Sequence, residues 1–332
     1  LVSIIIKIFK LNRGKNMNVM INRNTNGVYI ISATPFTEKG AVDYNSIETL
    51  VEYYIESGVS GITILGMMGE ANKLSLEESN QFVSAFIKRV NNKVPVIVGI
   101  SSSGVNAMES LSKLSMDVGA AGVMIAPTPG LNTEQKILNY FDIVCEQIGA
   151  NVPICYQDFP QTTGVHISAE TVLRLAKKHS QMVMFKHEDW PGLNKLSVIR
   201  SGSGNDEIPR LSILVGNAAL FLPQELGRGA DGAMTGFPYV KMLVAVEGLY
   251  RAGNIDEAED IFDTFLPLIR YDQQLGIGMS IRKEILYRKK LIKSPFVRLP
   301  RVNMSKIDYD ELSRLMKRLD YKLKTTGLGS VI

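Results

Sequence analysis

At 332 residues and 45% hydrophobic content, the chain can bury a large core, which excludes general disorder and suits one α/β barrel with an appendage. Its formal charge of +4 belongs to a basic leader, because Lys7, Lys10, Arg13, Lys15 and Arg23 all precede the first acidic residue, Glu38. Beyond the leader the balance falls near zero, and no Lys/Arg stripe with interleaved aromatics remains to follow a phosphate backbone, so no nucleic-acid partner is expected.

The greasy stretch Leu1 to Leu11 is interrupted by Lys7 and Lys10 and falls far short of the ~20 apolar residues that span a bilayer. It lacks the charged region and small-residue cleavage site of a secretory signal. Residues 1–27 are therefore expected to be a poorly ordered N-terminal extension, with Met17 or Met20 as alternative starts, and no membrane partner is expected. From Val28 onward, short β-branched runs alternate with segments of helical period. Eight runs read as strands: Val28 to Ser32, Gly61 to Leu65, Val94 to Ile100, Gly122 to Ala126, Val152 to Tyr156, Met182 to Lys186, Leu211 to Val215 and Gly232 to Thr235. Between them, Ser75-Leu76-Glu77-Glu78 and Asn132-Thr133-Glu134-Gln135 place a capping side chain before first-turn acids. Cys145 falls in a helical pattern and Cys155 in a buried strand pattern; both read as core thiols of a reducing cytoplasm, forming neither a disulfide framework nor a zinc cluster.

Eight strand-helix units predict a closed (β/α)8 TIM barrel over residues 28–252. An open doubly wound sheet fits less well, since no G-x-G-x-x-G opens a helix after a strand. Past Arg251 the strands stop, and Asn254 to Arg270, Leu275 to Ile292 and Lys306 to Lys324 predict a C-terminal helical domain over 253–325, with a tail at 326–332.

In such a barrel the reactive side chains sit at the carboxyl ends of strands. Two of the predicted strands end on Tyr156 and Lys186. An amine forms an imine only when neutral, and a lysine near its reference pKa of about 10.4 is almost wholly protonated at neutral pH; the apolar run Met182 to Phe185 is expected to help by desolvation. A phenol nearby could shuttle protons. The glycine-flanked loop Gly66-Met67-Met68-Gly69-Glu70 could turn backbone N–H groups toward a carboxylate. Metal catalysis is not expected: His166, His179 and His187 show no i, i+4 spacing, and no cysteine cluster or calcium loop occurs. No cofactor motif is present, and no G-x-S-x-G elbow supports a serine triad.

These features resemble the dihydrodipicolinate synthase and N-acetylneuraminate lyase family of class I, Schiff-base aldolases, over roughly Val28 to Lys293. Gly66 to Ser75 is similar to that family's G-T-T-G-E-x-x-x-L-[ST] loop. Tyr156-Gln157-Asp158-Phe159-Pro160-Gln161-Thr162-Thr163-Gly164 is similar to its Y-N-x-P-x-x-T-G stretch with one residue inserted. Phe185-Lys186-His187-Glu188 resembles the Schiff-base strand, and Val215-Gly216-Asn217 and Gly232 to Thr235 resemble the ends of strands seven and eight.

The resemblance implies Lys186 as nucleophile and Tyr156 as proton shuttle. It implies Met67, Met68 and Gly69 as the carboxylate cradle, and Thr162, Gly216 and Met234 (through its carbonyl) as further substrate contacts. Departures bear on the substrate. Thr162 stands where dihydrodipicolinate synthases keep an arginine, and a hydroxyl cannot replace a bidentate cation. Met67 and the Thr128-Pro129 stretch stand where those enzymes relay protons, and neither Met67 nor Pro129 can carry one. The expectation is a cofactor-free cytoplasmic lyase, aldolase or dehydratase, acting on pyruvate or another 2-oxo acid, with Thr162 and Asp158 reading a neutral or hydroxylated tail, rather than an authentic dihydrodipicolinate synthase. A non-catalytic 2-oxo acid binder is the alternative, a metal-dependent aldolase a more distant one. By resemblance alone, a homo-oligomer, dimer or tetramer, is expected.

Overall fold

A computed structural model of the chain describes Ile4, Ile5, Lys7, Ile8 and residues 19–330, the last by its backbone only. Eight strands close a barrel in chain order, β1 (Gly27–Ile31), β2 (Gly61–Ile64), β3 (Val96–Gly99), β4 (Gly122–Ile125), β5 (Ile154–Asp158), β6 (Met182–His187), β7 (Ser212–Val215) and β8 (Gly232–Ala233). Every pairing is parallel, and β1 closes on β8 through Gly27↔Gly232 and Val28↔Ala233. All these strand residues are buried, as expected of a parallel sheet filled inside and covered outside. The fold is thus a (β/α)8 TIM barrel.

Helices α1 (Asn45–Glu56), α2 (Leu76–Val90), α3 (Val105–Asp117), α4 (Glu134–Ile148), the single turn α5 (Pro160–Thr163), α6 (Ala169–Lys178), α7 (Leu193–Gly202), α8 (Leu222–Gly227) and α9 (Val240–Arg251) wrap the strands. The capping signals act locally as their chemistry dictates. Ser75 and Glu78 form a reciprocal capping box on α2, and Thr133 accepts from the Lys136 N–H on α4, satisfying N–H groups that have no helical partner. Three further helices, α10 (Ile255–Asp272), α11 (Gly278–Arg288) and α12 (Lys306–Thr325), form the C-terminal region. Among the described residues no helix is long and apolar enough to cross a membrane.

The expected poor order of residues 1–27 does not describe the apolar positions seen there. Ile5 and Ile21 are buried in the core, Ile21 donates its N–H to Ala121 O at 2.8 Å, and Arg23 reaches the carbonyls of Arg210 and Ser180. Residues 19–26 cover the amino-terminal end of the barrel, where an apolar side chain would otherwise face water. Met17 lies outside the described residues. In the C-terminal tail, Leu328 is buried within a short 3-10 turn.

One boundary has consequences. The run ending at Tyr156 continues as strand through Gln157 and Asp158, and β6 continues through His187. The polar residues read as loop are paired: Tyr156↔Phe185, Gln157↔Lys186 and Asp158↔His187. Register partners share a face, and neighbours in sequence take opposite faces.

Candidate active site

That alternation sorts the side chains of β5 and β6 into two groups. Lys186, Glu188 and Gln157 belong to the barrel interior. Lys186 is 1% exposed and lines a cavity of about 400 Å³, its Nζ 2.8 Å from Glu188 Oε2. The same carboxylate oxygen accepts a hydrogen bond from Gln157 Nε2 at 2.7 Å. Three buried polar groups are therefore mutually satisfied, as low-dielectric surroundings require. Glu188 has room because residue 216 is glycine, where a Cβ would lie 2.3 Å from both its Cγ and its Oε1.

Tyr156 belongs to the other group. Its ring lies 4.8 Å from that of Phe141 on α4 and stacks at 5.7 Å on Phe185, which in turn stacks on His187. The side chain fills the layer between barrel and helices, and its buried hydroxyl has no hydrogen-bond partner among the described residues. Burial, reinforced by the Asp158 and Glu134 carboxylates, raises the phenol well above its ordinary pKa. The shared pocket expected for Tyr156 and Lys186 is not what the strands build: the ring faces the helices, and Gln157 occupies the interior position beside the lysine. Asp158 is also on the outer face, its Oδ2 2.5 Å from Lys195 Nζ and 3.8 Å from His187 Nδ1, and it does not read the cavity.

The loop after β2 is set by close backbone packing. Leu65 and Glu70 both take positive φ, 53° and 51°. Leu65 O approaches β3 so closely that a Cβ on residue 99 would fall 2.1 Å from it; Gly99 is what admits the loop. Within the turn Gly69 N donates to Gly66 O and Glu70 N to Met67 O, while Gly69 O accepts from Thr34 Oγ1 at 2.7 Å. Met67 and Met68 line the cavity, and their N–H groups donate no hydrogen bond among the described residues. Gly69 supports the turn and does not itself line the cavity.

Glu70 is buried and anchors the loop from behind. Its carboxylate binds Lys283 of α11, Lys73 at 3.0 Å and the Arg298 N–H at 2.9 Å. Lys283 also donates to the carbonyls of Thr34 and Phe296, and burial pulls its pKa down to about 8 against the opposing pull of Glu70.

At the mouth the lining turns polar. Thr162 on α5 is exposed there, next to Asn217, Gln273 and Arg282, with Phe159 and Ile31 as apolar wall. Asn217 Nδ2 donates to the Glu188 carbonyl at 3.0 Å, Asn217 Oδ1 accepts from Gln273, and Gln273 Oε1 accepts from Arg282, itself paired with buried Asp272. Asn217, Ala218 and Ala219 all have positive φ, between 51° and 64°, a run that non-glycine residues seldom adopt. Met234 is fully buried and donates its N–H to Val215 O; Thr235 and Gly236 line the cavity in its place. Gln273 and Arg282 were not singled out from sequence; Gln157, Glu188 and Asn217 stood only inside longer motifs, with Glu188 one of three polar residues able to hydrogen-bond the amine. The K-x-E spacing on a strand offered a signal for Glu188, since i and i+2 face one way. Among the described residues no group of three or more His, Cys, Asp or Glu is placed to hold a metal ion.

A TIM barrel with a buried lysine at the carboxyl end of its sixth strand, facing a cavity with an exposed mouth, is the arrangement of a lyase of the class I aldolase type. The sequence model of the Dihydrodipicolinate synthetase family matches residues 24–319, and the chain belongs to that family. Among relatives, a 4-hydroxy-tetrahydrodipicolinate synthase of Methanocaldococcus jannaschii is 30% identical over 74% of this chain and 82% of its own. An L-2-keto-3-deoxyarabonate dehydratase of Azospirillum brasilense is 28% identical over 89% of this chain and 94% of its own. The crystal structure of a dihydrodipicolinate synthase from Rhodopseudomonas palustris superposes with a TM-score of 0.88 at 42% identity, covering 90% of this chain and 99% of that one.

Proposed function

We propose that this enzyme captures pyruvate or another 2-oxo acid as an imine on Lys186 and uses Glu188, not a tyrosine, to move protons. The observation that carries this reading is the buried constellation Lys186, Glu188 and Gln157. Glu188 is placed to take the proton that the amine must lose before its lone pair attacks the ketone. Attack gives a carbinolamine; its hydroxyl leaves as water when Glu188 returns the proton, and the C=N bond forms. The protonated imine then acts as electron sink. Glu188 removes a proton from C3, sending electrons to the iminium nitrogen and giving the enamine. It delivers that proton to a hydroxyl on C4, which departs as water as the nitrogen lone pair pushes back out to form the C3=C4 bond and restore the protonated imine; hydrolysis then frees the product and Lys186. One carboxylate next to the imine nitrogen suffices for such a dehydration, and gives no separate group for a second, ammonium-bearing reactant. Gln157 can orient Glu188 but cannot carry a proton at neutral pH.

The N–H groups of Met67 and Met68 are proposed to hold the substrate carboxylate. Thr162, Asn217 and Gln273 are proposed to read a hydroxylated tail, since each offers both donor and acceptor capacity. The similarity to a named dehydratase over most of the chain agrees with this reading. We also propose a cofactor-free enzyme of the cytoplasm, consistent with two buried free thiols, assembled as a homodimer or homotetramer. Light scattering of the intact protein reads the assembly.

The test is borohydride reduction with a panel of 2-oxo acids, including 2-oxo-3-deoxy sugar acids, followed by peptide mapping and product analysis. A reduced adduct on Lys186 with release of a dehydrated product is expected. No adduct with any member would overturn the imine reading, and an adduct without turnover would favour a non-catalytic 2-oxo acid binder.

A further inference from the structure

Next to the substrate cavity lies a second one, of about 340 Å³, whose lining includes Trp190, Asn194, Asn217, Phe221, Glu225 and Arg228. Its chemistry is unlike that of the first. The Trp190 and Phe221 rings stand 4.8 Å apart at 48°, forming an aromatic wall, and Trp190 keeps 49% of its surface exposed. Glu225, on α8, is only 6% exposed, and its buried Oε2 has no hydrogen-bond partner among the described residues. Leaving a buried carboxyl unpartnered is unfavourable, and nothing in the imine chemistry uses this one. Arg228, at the exposed rim, engages its Nη1 with Leu193 O, Asn194 Oδ1 and Ser197 Oγ. Its remaining N–H groups make no hydrogen bond among the described residues. Arg228 caps the C-terminal end of α8, three residues after Glu225, and both side chains line the cavity.

We infer that this cavity is a binding site for a free α-amino acid, with the ammonium on Glu225, the carboxylate on Arg228 and the side chain against Trp190 and Phe221. An α-amino acid carries an ammonium and a carboxylate on one carbon, which matches an acidic and a basic side chain lining one cavity. A simple amine would leave the guanidinium as a like charge, and a simple carboxylate would engage Arg228 but bring no ammonium to Glu225. Burial, with a contribution from Glu188, holds the Glu225 carboxyl up to about 8. At neutral pH the empty site therefore keeps a proton there, which an arriving ammonium replaces. The other charged groups at this cavity are Arg228 and Asp189, the latter paired with Lys195 at 3.0 Å.

Trp190 is the chain's only tryptophan and forms one wall of this cavity, so its emission responds to what binds there. The intact protein is titrated at pH 7.5 with a panel of L-amino acids that includes leucine. Isoamylamine and 4-methylpentanoate serve as leucine analogues lacking one charge each. At least one amino acid is expected to give a saturable change in emission, at least ten-fold weaker for the matching one-charge analogues. The change should weaken at least ten-fold in Glu225→Gln and, as a second variant should that one fail to fold, in Arg228→Met. No saturable change across the panel, equal binding of the amine alone, or a response unaltered by both substitutions would overturn the assignment. Since the readout is binding at Trp190, it is independent of whether Lys186 forms an imine.

Discussion

Glu188 and Gly216 compete for one space: the carboxylate beside Lys186 lies where a side chain on residue 216 would begin, 2.3 Å from an added Cβ. Gly216→Ala should therefore push Glu188 off Lys186 while leaving the strands paired. We expect at least a hundred-fold loss of turnover with far-ultraviolet circular dichroism unchanged. Wild-type turnover in this variant would show that the Lys186–Glu188 contact is dispensable.

Glu188→Gln keeps the shape and the hydrogen-bonding capacity but removes the base. Loss of a positioned general base typically costs about 10²–10⁴-fold. Turnover should fall by that order, and borohydride trapping on Lys186 should slow yet remain detectable at long times. Equal rates in the variant and the parent would transfer the proton-moving role elsewhere.

For Tyr156→Phe the expectation is the reverse of what the sequence motif implies. The hydroxyl is buried without a partner on the helix-facing side, so its removal should leave kcat within about two-fold. Stability should stay level or rise by up to ~1 kcal/mol, read as a urea midpoint. A thousand-fold loss of activity would place the ring in the cavity after all.

Glu225 links stability to pH. Its carboxyl is raised from 4.5 to about 8 by burial and by Glu188, so the folded state holds a proton that the unfolded chain has released. The stability contributed by this group is fully present below about pH 4.5 and is lost as pH rises through about 8. Glu225→Gln should flatten that part of the profile and stabilise the protein above pH 8 by about 1–3 kcal/mol. Thermal melts of both proteins between pH 5 and 9 would show parallel profiles if the carboxyl titrates normally.

The Glu70–Lys283 pair is fully buried on both sides. Removing one partner of such a pair costs about 3–5 kcal/mol, so Lys283→Met should lower the urea midpoint accordingly. Because Glu70 holds the turn that carries Met67 and Met68, the surviving folded enzyme should also show a KM for its 2-oxo acid raised at least ten-fold. An unchanged KM would separate the turn from substrate binding.

Much of this molecule is legible from its residues. The strand-helix alternation and the helix caps reflect local chemistry, and the barrel follows from the number of strand-helix units. Lys186 is legible for the same reason, as a lone amine closing an apolar run. Tyr156 shows where such reading stops. A strand has two faces, and assigning a side chain to one requires the pairing register; with β5 continuing through Gln157 and Asp158, the motif's phenol is one position out of phase with Lys186. Glu188 sat in a polar tripeptide that composition alone reads as solvated loop. Gln273, Arg282 and Lys283 come from helices far along the chain, and only the folded arrangement brings them to the barrel mouth.

The tether between Glu70 and a lysine 213 positions later bears on synthesis as well as on architecture. All eight strands have left the ribosome before Lys283 does, so the strands are complete while the turn after β2 still lacks the lysine that holds Glu70. A fragment ending at Arg251 would keep every strand of the barrel yet leave the Glu70 carboxylate without Lys283.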